Sequence, residues 1–180
     1  MTIIIILAGL TFATMGYVQD KARRSRAEAE IAAISAALEN YKADNGVYPR
    51  EPASTDSLIA SADPQGGNPA NFLTSGRYLY KQLSGDSDGN PTTSDPTNDT
   101  KSYIGAALKP NMLKPNPPGP NTYIQDPFGN AYGYSTAKAA DPSGSNGYNP
   151  TFDLWSTSGE TAKKPAETFQ QYQARWIKNW

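Results

Sequence analysis

A chain of 180 residues with a formal net charge of −1 and 37% hydrophobic residues suits one modest globular core and lacks the basic footprint of a nucleic-acid binder. Neither Cys nor His is present, which removes disulfides, thiol nucleophiles, imidazole bases and the usual zinc ligands together. Gly and Pro number 15 each and imply a loop-rich domain with short elements.

No charge occurs from Met1 to Val18, and no Pro interrupts the chain before Pro49. A single helix over residues 1–44 would be roughly 65 Å long at about 1.5 Å per residue, several times an ordinary globular helix. So small a domain cannot bury it, and its apolar half must lie in lipid or among copies of itself. Three readings compete. A cleaved signal peptide needs a basic start, whereas Lys21, Arg23, Arg24 and Arg26 follow the apolar run. A plain membrane anchor is just long enough, and its flanking charges would place the rest of the chain in the cytoplasm. The third is a helix held in the membrane before assembly and packed against its copies afterwards. Gly9, Ala13 and Gly16 at i, i+4, i+7 favour this reading, because small residues let helix backbones approach closely. Ile3, Ile4, Ile5, Ile6, Leu7, Leu10 and Phe12 would then complete the packed core of a filament.

The domain division that follows is an apolar membrane or filament-core segment, residues 1–26, and a globular domain, residues 27–180. Between them lie Asp20, Lys21, Arg23, Arg24, Arg26, Glu28 and Glu30. Asp20 with Arg24, Arg24 with Glu28 and Arg26 with Glu30 have i, i+4 spacing and solubilise the helix; across subunits the same charges would set axial register. Ala27, Ile31, Ile34, Leu38 and Tyr41 form one apolar stripe. Asn45-Gly46 followed by Pro49 is a helix stop, with Gly46 suited to a left-handed cap.

Beyond Pro49, residues 55–62 and 71–83 read as short helices. Residues 84–101 are polar and interrupted by Pro, hence a loop. Residues 102–108 form a strand or a helical turn, and the Pro-rich residues 109–121 cross the domain without ladder bonds. Tyr123-Ile124, a turn at residues 126–130 and residues 131–135 predict an antiparallel pair with Tyr132 and Tyr134 on one face. Residues 151–158 predict a further strand, with Phe152 and Leu154 on one face and Trp155 on the other. Ile31, Ile34, Leu38 and Tyr41 would face this sheet, an α+β arrangement. Pro165 would start a last helix carrying Phe169, Tyr172, Trp176 and Trp180 along one side, either as core over the sheet or as an exposed patch.

Three blocks resemble one family. ILAGL leading into AEAEIAAISAALENYKADNGVYP is similar to the start of type IV filament proteins, most of all the major pseudopilin of type II secretion. Its ALE-x-Y-x-x-DNG-x-YP pattern falls on Ala37, Leu38, Glu39, Tyr41, Asp44, Asn45, Gly46, Tyr48 and Pro49. Residues 126–134, DPFGNAYGY, resemble the family's DPWGNPY-x-Y, and residues 152–156, FDLWS, its D-[LI]-[YFW]-S strand. Residues 50–120 match loosely. The family pattern of a leader ending in Gly, then an aromatic residue and a Glu at the fifth mature position, has no counterpart before Asp20. The resemblance therefore implies that the sequence starts part-way into the apolar segment.

What the resemblance implies is a pilin-like fold: a long N-terminal helix whose apolar half protrudes, packed on a small antiparallel sheet with a loop-rich head. It further implies a structural homopolymer, held in the bacterial inner membrane with a periplasmic head before assembly and in a periplasmic or extracellular filament afterwards. Its partners would be copies of itself, the inner membrane and the secretion or pilus machinery, with no nucleic acid. Secretion pseudopilus and adhesive surface pilus both remain open, as does an anchored polysaccharide-binding module using Trp155, Trp176 and Trp180. No catalytic constellation is visible among the dispersed carboxylates. Calcium is the one cofactor the residues raise. Asp86, Asp88 and Asn90, with Asp95 further on, open like an oxygen-rich loop, but Thr97 stands where an EF-hand needs a bidentate Glu. Of the calcium loop the resemblance implies after the FDLWS strand, only Asp153 and Glu160 remain.

Overall fold

The structure, a computed structural model, describes residues 2–93 and 99–180, without the side chains of residues 2–15 and 106. The packing expected of Ile3, Ile4, Ile5, Ile6, Leu7, Gly9, Leu10, Phe12 and Ala13, and the role considered for Asp95, lie outside what is described.

One helix, α1 (Thr2–Asn45), runs into a head built from α2 (Leu73–Ser84), α3 (Ala137–Ala140), α4 (Phe169–Gln173) and the strands β1 (Leu113–Lys114), β2 (Tyr123–Ile124), β3 (Gly133–Ser135), β4 (Asp153–Ser156) and β5 (Ile177–Lys178). This is the α+β, pilin-like arrangement expected. α1 runs unbroken because its second half is rich in Ala and Glu, both strong helix formers, and holds neither Gly nor Pro. Gly46 stops it as expected, at φ +79°, with its N–H donating to the Lys42 carbonyl at 2.7 Å. From Ala27 onward one stripe is buried, comprising Ala27, Ile31, Ile34, Ala37 and Leu38, with Tyr41 half-buried at its end.

Antiparallel β3, β4 and β5 form a sheet in that order, with Tyr134 opposite Leu154 and Gly133 opposite Trp155. Side chains alternate across β4, so the sheet divides the core in two. Phe152 and Leu154 join Tyr132, Tyr134 and the α1 stripe on one side, together with Leu79, Tyr80 and Leu83 of α2. Trp155 lies on the other with Leu58, Phe72, Tyr172 and Trp176. The C-terminal aromatics are thus mainly core: Phe169 and Tyr172 meet Trp176 edge-on, and Trp180 stacks on Tyr148 with ring centroids 4.6 Å apart.

Four local expectations are corrected. Residues 55–62 form turns, not a helix: the N–H groups of Ser54, Thr55 and Asp56 all converge on the Glu51 carbonyl, and the Thr55 hydroxyl also donates to it. Small hydroxyl residues offer the backbone such alternatives to a helix. The Pro-rich segment does make a ladder. Leu113 and Lys114 retain their N–H groups between Pro110 and Pro115, and as β1 they pair with β2. The predicted pair across residues 126–130 shrinks to one bridge, Gln125 with Ala131, because β2 pairs with β1 while β3 pairs with β4. The last helix starts at Phe169 behind a Thr168–Gln171 capping box, not at Pro165, and gives way to β5. Residues 102–108, left between two forms by the sequence, contain a 3-10 turn at Gly105–Ala107.

Candidate assembly surface

The functional question is how α1 leaves the head. Residues 16–23 are exposed, Tyr17 by 73% and Val18 by 61%. A Cβ added to Gly16 would have no described atom within 4 Å. Among the described residues, this stretch of helix is therefore exposed rather than packed on its own head.

The point of departure is fixed by polar contacts. The Arg24 guanidinium donates through Nη1 to Ser158 Oγ at 3.0 Å and to the Arg175 carbonyl at 2.9 Å. Two turns on, Glu30 is 8% exposed and accepts from Arg26 Nε at 2.6 Å and from the Tyr132 hydroxyl at 2.8 Å. Burial, and then the Glu30 carboxylate, push the Tyr132 hydroxyl far above the ordinary phenol range. It stays protonated and donates. At the other end of the buried stripe, the Tyr134 hydroxyl donates to the Pro49 carbonyl at 2.7 Å, tying the chain beyond Gly46 to β3.

These contacts redistribute the predicted charges. The expected Arg26–Glu30 pair is present. Arg24 turns to the head instead of to Asp20 or Glu28, because a backbone carbonyl and a hydroxyl on a rigid surface compete with flexible carboxylates on the solvated helix face. Asp20 pairs loosely with Arg23 at 3.7 Å. Lys21 and Glu28 are exposed. Contacts spanning 134, 151 and 102 residues have no sequence spacing to reveal them.

The described donors considered for calcium are engaged with groups of the chain itself. Buried Asp153 accepts the N–H groups of Tyr148 and Asn149 at 2.9 and 2.8 Å. Glu160 is instead held by Arg175, at 2.6 Å, which also pairs with Glu167, so a guanidinium neutralises this loop. Asp86 accepts from the Tyr80 hydroxyl and from the N–H groups of Gly89 and Asn90. Asp88 accepts from Asn90 N–H and Thr93 Oγ1, and Asn90 Oδ1 from Thr92. Among the described residues, no three acidic side chains are grouped to hold a metal ion.

The acids fall into two groups with opposite pH responses. Burial raises the Asp126 and Asp153 carboxyls despite their hydrogen bonds. Their stabilising contribution is complete below the ordinary Asp range and is lost as pH rises through the raised value. Asp126 closes the turn before β3, accepting from Phe128 N–H, Asn130 N–H and Ser156 Oγ. Hydrogen bonds from Arg175 instead lower Glu167 to about 2, so its contribution is complete above 4.5 and is lost as pH falls towards about 2. Thermal unfolding from pH 7 to pH 3 should therefore show the deficit of Asp126→Asn widening with acidification and that of Glu167→Gln narrowing. Parallel curves for the two variants would contradict these assignments.

A family model described as type II secretion system (T2SS), protein G, matches residues 14–106, just over half of the chain. No curated protein and no solved structure matches.

Proposed function

The chain belongs to the family of type II secretion system protein G, the major pseudopilin, and on that premise we propose that it polymerises through α1 into a pseudopilus. One observation carries this reading: a 44-residue helix in which, among the described side chains, full burial begins at Ala27, while residues 16–23 are exposed. A helix surface with no partner in its own subunit is available to copies of the same helix.

In this reading residues 1–26 form the filament core and residues 27–180 the domain on its surface. Gly9, Ala13 and Gly16 let neighbouring backbones approach, surrounded by the apolar side chains from Ile3 to Phe12. Arg24 and Glu30 hold the helix to its own head and Arg26 pairs with Glu30 along the helix, which leaves Asp20, Lys21, Arg23 and Glu28 for register between subunits. Before assembly the apolar half sits in the inner membrane and the head in the periplasm. Among the described residues no helix is long and apolar enough to cross a membrane; the apolar stretch up to Met15 lies outside the described side chains. The work of extension belongs to other components of the machine, and this chain contributes packing surfaces, as a structural subunit rather than an enzyme.

The test is Gly9→Leu combined with Gly16→Leu. Filaments seen by electron microscopy should be lost while the unfolding temperature of the head is unchanged, because a Cβ at Gly16 has no described atom within 4 Å. Intact filaments in that variant would refute the seam.

A further inference from the structure

A second surface, on the head and independent of α1, carries unpaired positive charge. Between α2, β1, β2 and the Pro-rich segment lies a cavity of about 520 Å³, lined by Arg77 and Lys114 together with Asn116, Asn121, Leu73 and Tyr123. Its volume is that of a small-molecule site. No carboxylate lines it, and among the described residues neither Arg77 nor Lys114 has an ion-pair partner. Arg77 Nε is shut off from solvent with no hydrogen-bond partner. This contrasts with Arg24, Arg26, Arg50 and Arg175, each of which donates to an acceptor of its own chain.

Two cations lining one concavity with no carboxylate beside them raise the local positive potential, which an entering anion would lower. We propose that this cavity binds a carboxylate, with Arg77 as the principal donor, Lys114 as a second point charge, and the amides of Asn116 and Asn121 as neutral donors. The planar fork of Arg matches a carboxylate in two-point fashion. Leu73, the Tyr123 ring and two prolines, Pro115 and Pro120, supply apolar walls. Such walls suit a flat carboxylate carried on a hydrocarbon stem better than a phosphate, which needs donors on all sides. The carboxylate comes either from a small free acid or from an acidic side chain of a partner protein.

The experiment is a titration of the full-length chain in detergent micelles with butyrate in one arm and a hexaglutamate peptide in the other, following the Arg77 Nε–Hε resonance by NMR. A saturable shift is expected in at least one arm, and the tighter arm identifies the source. Arg77→Gln with Lys114→Gln should weaken that binding by about tenfold or more. Lys109→Gln, which removes an exposed cation elsewhere, should leave it unchanged. The proposal is overturned if neither probe moves the resonance in the millimolar range, or if Lys109→Gln weakens binding as much as the double variant. Displacement of the bound probe by an equal concentration of inorganic phosphate would overturn the carboxylate assignment.

Discussion

Gly133→Ala is expected to be among the most destabilising single substitutions in the head. A Cβ at this position would lie 2.2 Å from Cε2 and 2.4 Å from Cζ2 of Trp155, its cross-strand partner. The indole cannot retreat. It is fully buried, its Nε1 donates to the Gly66 carbonyl at 2.9 Å, Phe72 meets it edge-on at 5.1 Å, and Trp176 stacks at 6.2 Å. Overpacking of this kind costs about 3 kcal/mol, a large part of the roughly 5–15 kcal/mol that holds a domain together. Measured by calorimetry, the unfolding temperature should fall by roughly 6–12 °C. Combining Gly133→Ala with Trp155→Leu should recover part of the loss relative to the sum of the two single variants, because the clash is removed with the ring. Strict additivity would show that the two residues do not press on each other.

Leu38→Ala is expected to loosen α1 from the head. Leu38 is fully buried in the core cluster that also holds Ile34, Tyr132 and Tyr134, where its removal leaves a cavity. A loss of about 2–5 kcal/mol follows. Glu28→Ala, on the exposed face, should change stability by less than about 0.5 kcal/mol. Hydrogen exchange locates the effect: in Leu38→Ala the α1 amides after Ala27 should exchange faster, while those of β4 keep their protection longer. Equal acceleration throughout the head would mean that helix and sheet melt as one unit.

What the sequence made legible was whatever depends on short-range periodicity. The four- and three-residue rhythm from Ala27 to Tyr41 identified the buried stripe of α1, and Asn45-Gly46 its end. In β4 the two-residue alternation assigned Phe152 and Leu154 to one face and Trp155 to the other. Legibility failed where partners are distant. Leu113-Lys114 carries no strand signal of its own and becomes one because β2 lies alongside. Tyr123-Ile124 and Gly133–Ser135 look like the arms of one hairpin, yet each finds a better partner elsewhere. The run from Phe169 to Trp180 has helical spacing, but after one short helix its backbone pairs with Trp155 and Ser156 of β4. At the assembly surface, Arg24 sits among acids at plausible helical offsets, and only the folded head reveals the hydroxyl and carbonyl that capture it.

That capture bears on how a rod-and-head subunit carries tension. The bonds of Arg24 reach Ser158, just beyond the central strand of the three-stranded sheet, and Arg175, in the turn leading to its edge strand. A pull along α1 away from the head is therefore met at its point of exit, by a segment 151 residues away in the chain. The load enters the sheet sideways through hydrogen bonds and the Ala27–Leu38 stripe acting in shear, and the helix cap at Gly46 lies at the far end, outside its path. A subunit built this way resists being drawn out by its rod far better than it resists being peeled from the Gly46 end.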